Sequence, residues 1–159
     1  MTAMFGSFAN YGFVRDNVPN DLLAALKEEA YSVDPTSDKN RFNGNLAGNI
    51  ESEYKLSQNK EQLEAYILSL CAQYRNYWDM RHTGKHLAAE DLELQSYWVN
   101  FQKKHEFNPM HTHDGLYSFA IWLKVPYTIA QELEQPMSRN ANMPRPGMFC
   151  FIYTCLLYT

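Results

Sequence analysis

His111-Thr112-His113-Asp114-Gly115 lies between two strand-like runs, Leu94-Gln95-Ser96-Tyr97-Trp98-Val99-Asn100-Phe101-Gln102 and Tyr117-Ser118-Phe119-Ala120-Ile121-Trp122-Leu123-Lys124-Val125-Pro126. In an extended strand, residues two apart point to the same face, with Cα atoms about 6.5 Å apart. Two imidazoles at that spacing can lean onto one metal ion, and histidine is the commonest protein ligand for iron, zinc and copper. Asn108-Pro109 before the pair and Asp114-Gly115 after it are turn signals. The histidines are therefore expected at a strand mouth, where a barrel keeps its pocket. Read without that context, the pair is two solvated turn residues. In a regular strand Asp114 points away from His111, and only a bulge or strand end would swing it inward. The favoured ligands are His111 and His113, with Asp114 as a hydrogen-bond partner of the site or a turn residue.

Outward from this stretch, the pattern predicts helices first and strands afterwards. Residues 5–14 read as a first strand. Asn20 reads as an N-cap for a helix with Leu22, Leu23 and Leu26 on its apolar face and Asp21 in its first turn. Residues 34–49, rich in Asn, Gly, Ser and Asp, read as a long loop of the kind that borders a pocket. Ser57 is a candidate cap for a longer helix carrying Leu63, Tyr66, Ile67, Leu70, Tyr74 and Trp78 at helical spacing, a stripe that reads as core packing. Residues 80–92 form a connection broken at Gly84. The period then becomes strand-like over 94–102, 117–125 and 147–154, with a short helix over 128–133 and a Pro-rich loop over 136–146. The whole predicts one α+β domain, with helices packed on one face of a mainly antiparallel double sheet.

The composition is that of a folded protein: 159 residues, 45% hydrophobic and 14% aromatic. A net charge of -4 gives no electrostatic reason to bind nucleic acid or an anionic membrane, and Lys103-Lys104 is no nucleic-acid patch. No apolar run approaches the ~20 residues of a membrane span, and the N-terminus lacks the features of a secretory signal. Cys71, Cys150 and Cys155 show no framework spacing, so reduced thiols and a cytoplasmic location are expected. One of the three is expected to be buried as a small hydrophobe.

Three segments together resemble a known family: Trp98 to Lys104, Glu106-Phe107-Asn108-Pro109-Met110-His111-Thr112-His113, and Ser118 to Tyr127. They look like the 2-oxoglutarate/iron(II)-dependent oxygenases frequent in tailed phages and marine bacteria. The similarity runs from about residue 5 to residue 154 and is strongest over 96–127. The resemblance implies a double-stranded β-helix (jelly-roll, cupin-like) core with helices packed outside. It further implies Fe(II) held at one mouth by an H-x-H pattern, with 2-oxoglutarate as cosubstrate of a hydroxylase-type dioxygenase. Asn100 and Gln102, on one face of the expected strand, are candidates for cosubstrate binding. Trp122 stands where related oxygenases place an aromatic residue near the cosubstrate. Packing or surface roles account equally for these three. The prime substrate is left open, because selectivity resides in loops such as 34–49 and 136–146.

The same resemblance exposes an incomplete set of parts. A jelly roll has eight core strands, and the pattern supplies about half. No histidine follows His113, and Arg139 and Arg145 fall in the Pro-rich loop, so neither the distal ligand nor the basic residue that grips 2-oxoglutarate is found. The expectation is residues 1–154 as the N-terminal part of an oxygenase-like domain, inactive by itself, and 155–159 as a non-native tail. That tail can be encoded by TGT CTC TTA TAC ACA, which coincides with a transposon-end adapter used in sequencing libraries. The alternatives are a non-catalytic cupin-like metal-binding module and a phage accessory or structural protein.

Overall fold

The computed structural model describes residues 12–82 and 92–150, the side chains of 76–82 aside. Its elements are α1 (Asn20–Tyr31), β1 (Glu53–Leu56), α2 (Lys60–His82), β2 (Tyr97–Asn100), α3 (Ile129–Leu133) and α4 (Pro136–Arg139). Short 3-10 turns occupy Asp38–Asn40 and Asn43–Asn45. The chain divides into two compact units, of which the larger is Phe13–Leu123.

Helix α1 forms because its apolar residues repeat at helical spacing. Leu22, Leu26 and Ala30 are buried on one face, and Glu29 is buried beside them. The N-cap is Pro19, one residue before the expected Asn20. Its carbonyl accepts from the Leu23 N–H at 2.8 Å, and no side chain caps the end. At the other end the Ser32 hydroxyl donates to the Glu29 carbonyl at 2.8 Å.

The carboxylate of Glu29, only 3% exposed, then determines where α2 begins. Its oxygens accept from the backbone N–H groups of Ser57 and Gln58 at 2.6 Å each and of Asn59 at 3.3 Å. These donors belong to the turn that leads into α2. The Asn59 carbonyl accepts from the Leu63 N–H at 2.9 Å, so the helix starts from Asn59 and the expected cap, Ser57, lies two residues outside it. The Asn59 amide (2.9 Å) and the Tyr97 hydroxyl (2.9 Å) complete the shell. Burial by itself would raise the Glu29 carboxyl. The donors from Gln58, Asn59, Ser57 and Tyr97 outweigh it and hold the group below its ordinary 4.5.

Strands β1 and β2 pair antiparallel, with Glu53 opposite Asn100, Tyr54 opposite Val99, Lys55 opposite Trp98 and Leu56 opposite Tyr97. Leu22, Leu26, Ala30, Leu56, Leu63, Leu94 and Tyr97 make one buried cluster that joins both helices to this sheet. Leu63 of α2 is 1% exposed at its centre. Tyr66 and Ile67 pack against the cluster as the expected helical stripe requires, and Cys71 is the buried free thiol. The Glu64 carboxylate receives the Leu94 N–H at 2.6 Å, tying α2 to the approach of β2. The loop over 34–49 is laid onto β1, with the Phe42 N–H donating to the Glu53 carbonyl at 2.9 Å and Arg41 bridging Tyr54.

The sheet differs from the expected one. Among the described residues it has two strands, and β1 is unexpected: Glu53-Tyr54-Lys55-Leu56 alternates polar and apolar residues, but over only four positions. The run over 94–102 contracts to β2. The run over 117–125 is irregular, as are 12–14 and 147–150. A strand exists only where a neighbour takes up its backbone donors and acceptors, and no ladder partner of these runs lies among the described residues. Residues 5–11, 151–154, the 83–91 part of the connection and the tail 155–159 lie outside the described residues, as does the Trp78 side chain. The eight-stranded jelly roll is not seen among the described residues.

The second unit carries the expected short helix. The Thr128 side chain accepts from the Gln131 N–H while the Gln131 side chain accepts from the Thr128 N–H, a capping box that starts α3. Pro136 opens α4. Gly147 has φ +60°, and a Cβ there would stand 2.7 Å from the Tyr127 ring. No helix among the described residues is long and apolar enough to cross a membrane.

Glu29→Ala is expected to destabilise the protein by about 3 kcal/mol, since it leaves several buried donors without an acceptor. Because the folded carboxyl lies below its unfolded value, its contribution is complete above about pH 4.5 and is lost as pH falls through the folded value. Denaturant titrations from pH 7 to pH 3 check this: the acid decline should be shallower in Glu29→Gln than in the unaltered protein.

Candidate functional site

The segment that carries the histidines leaves β2 through a tightly held turn. The Glu106 carboxylate accepts from the Lys103 N–H at 2.7 Å and from the Glu51 N–H at 2.9 Å, which lowers its proton affinity and pins the turn to the β1 side. His105 takes the left-handed conformation there (φ +73°). The Gln102 side chain donates to the Glu106 carbonyl at 2.7 Å. The next tether is the Asn49 N–H to the Phe107 carbonyl at 2.8 Å. Beyond it the chain is irregular, and residues 107–120 are all exposed. Gly115, with φ +95°, makes the break expected at Asp114-Gly115.

Within this segment the two imidazoles do come together. The ring centroids of His111 and His113 are 4.7 Å apart, with 54° between the planes. Nδ1 of His111 lies 2.7 Å from the Pro109 carbonyl oxygen. A carbonyl oxygen can only accept, so Nδ1 carries the proton and donates. The lone pair of a neutral His111 is then on Nε2, the arrangement that a metal-binding histidine needs. Two ring nitrogens at about 2.1 Å from one ion, in adjacent coordination positions, place their centroids about 4.5 Å apart. The pair therefore fits two positions of a first-row metal. Among the described residues no group of three His, Cys, Asp or Glu side chains could hold a metal, so Asp114 does not complete a ligand set with the pair.

Asn100 ends β2 opposite Glu53, with its side-chain oxygen buried and without a donor. Gln102 lies beyond the strand and serves the Lys103–Glu106 turn, because its amide meets the Glu106 carbonyl there. Asn100 and Gln102 thus do not share a strand face. Trp122, in the irregular stretch, is 59% exposed. The buried polar residues Glu29 and Glu53 escaped the sequence reading altogether; a lone glutamate in a helix or strand reads as a solvated face.

Neither a protein family model nor a curated protein nor a solved structure matches the chain.

The Pro109 contact makes a direct prediction about the free protein. Neutral His111 should be the Nδ1–H tautomer, read from long-range 1H–15N correlations above pH 8. A dominant Nε2–H signal at that ring would contradict the geometry.

Proposed function

We propose that His111 and His113 are two of the three protein ligands for Fe(II) in a 2-oxoglutarate-dependent oxygenase of the hydroxylase type, built on a jelly-roll core and working in the cytoplasm. The observation that carries this reading is the 4.7 Å approach of the two rings, together with the Pro109 contact that directs the His111 lone pair to Nε2. The sequence resemblance around the H-x-H pattern supports it as well. Bound iron(II), together with 2-oxoglutarate and oxygen, supplies the oxidising power for hydroxylation. The chain's own part is to hold the pair. The Pro109 carbonyl fixes the ring of His111, and the tethers at Glu106 and Phe107 fix the start of the segment. Asn100, Gln102 and Trp122 remain the proposed cosubstrate neighbours, with Gln102 in need of release from the Glu106 carbonyl before it could bind anything. Among the described residues the pair supplies two ligands, and turnover requires a third.

One observation favours the competing reading, a non-catalytic cupin-like metal-binding module or phage accessory protein. Among the described residues no third ligand joins the pair.

Two measurements decide. Manganese(II), a paramagnetic stand-in for iron(II), should broaden the ring signals of His111 and His113 first, and His113→Ala should weaken binding about tenfold or more. A protein in which a third ligand completes the site should convert 2-oxoglutarate to succinate only with iron(II) present. Metal binding without turnover favours the module; no broadening at either ring defeats both the oxygenase and the metal-binding module.

A further inference from the structure

A second place in the larger unit carries unused chemistry. Glu53 of β1 is 0% exposed, yet its carboxylate has only one long hydrogen bond, from the Asn43 amide to Oε2 at 3.4 Å. Its Oε1 has no donor, and among the described residues no ion pair reaches it. The neighbouring cations are engaged elsewhere. Lys103 pairs with Glu51 at 2.5 Å, and Arg41 reaches Asp38 and the Glu51 carbonyl.

Apart from that amide, the polar side-chain atoms left without a partner on the neighbouring residues are oxygens. Asn100 is its partner across the sheet, and the buried Asn100 Oδ1 has no donor. The Asn43 nitrogen is committed to the carbonyls of Ile50 (2.5 Å) and Glu51 (3.1 Å), which fixes how the amide is turned and leaves its buried Oδ1 without a donor. Gly48 completes the picture. A Cβ at that position would stand 3.0 Å from Glu53 Oε1 and 2.5 Å from Asn108 Oδ1, so both oxygens lie close against Gly48 and are brought to one place by it. Burial and the charge of Glu106 both push the Glu53 carboxyl above its ordinary value, the direction expected of a carboxylate that lacks a counter-charge.

We infer that Glu53 Oε1, with the amide oxygens of Asn43, Asn100 and Asn108, forms a site for a hard divalent cation of the calcium class, separate from the histidine pair. Oxygen-only donors select hard cations. Calcium is favoured over magnesium because it accepts an irregular oxygen cage, whereas magnesium demands near-octahedral geometry and keeps its waters. Bound there, the cation gives four acceptors a common partner and joins the 43–48 loop to both strands.

The test uses the whole chain with calcium chloride, and with terbium(III) as a luminescent probe excited through Trp98, two residues from Asn100. Terbium emission should saturate and be displaced by calcium but not by equimolar magnesium, and the melting temperature should rise with calcium. Glu53→Gln should weaken calcium binding about tenfold or more, while His113→Ala leaves it unchanged. Absence of terbium emission from the unaltered protein, or emission that calcium does not displace, would mean that a proton or a buried water satisfies Glu53 and would overturn the inference. So would calcium binding retained in Glu53→Gln.

Discussion

A single carboxylate holds the larger unit together. Glu29 projects from α1 into the turn before α2, where it collects the backbone donors of Ser57, Gln58 and Asn59 and the hydroxyl of Tyr97 from β2. Three elements distant in sequence thereby share one anion. Their apolar faces supply the bulk of the burial through Leu22, Leu26, Leu56, Leu63 and Leu94. Hydrophobic contact is not directional; the charged hydrogen bonds are. They set the entry of α2 relative to α1 and hold the first residue of β2. Burial also pushes the Tyr97 phenol upward, reinforced by the Glu29 charge beside it, so the tyrosine stays a donor to that carboxylate.

Glu53 is the same side chain in the opposite situation. Both glutamates are buried in the larger unit, but Glu29 is surrounded by N–H and O–H groups and Glu53 has one long amide contact. Their proton affinities accordingly move in opposite directions, down for Glu29 and up for Glu53. The contrast shows what desolvation does alone and what it does when donors answer it. It also separates a residue that organises the fold from one whose surroundings call for a further partner.

The histidine pair stands on a graded support. Glu106 locks the turn after β2, the Asn49–Phe107 contact holds the next step, and the Pro109 carbonyl orients His111 locally. Past that point no ladder is seen among the described residues, and Met110, Leu116, Phe119 and Trp122 are exposed. A strand-mouth site and an irregular exposed segment present the same two rings in different ways. The i, i+2 spacing keeps the imidazoles near each other in either case, because so short a separation leaves little freedom to part them.

Local features were legible from the residues alone. The helical period of Leu22, Leu26 and Leu63, the Thr128 cap with its Gln131, the turn at Asp114-Gly115 and the closeness of His111 to His113 depend on neighbours within a few positions, so their physics is written in the chain. Only the tertiary structure decided which carboxylate holds the turn before α2 and that Glu53 to Leu56 pairs with β2. These depend on contacts between residues 28 to 68 positions apart. A glutamate carries no sign of whether donors or oxygens will meet it. That depends on which distant backbone arrives beside it, and it is settled when the chain closes on itself.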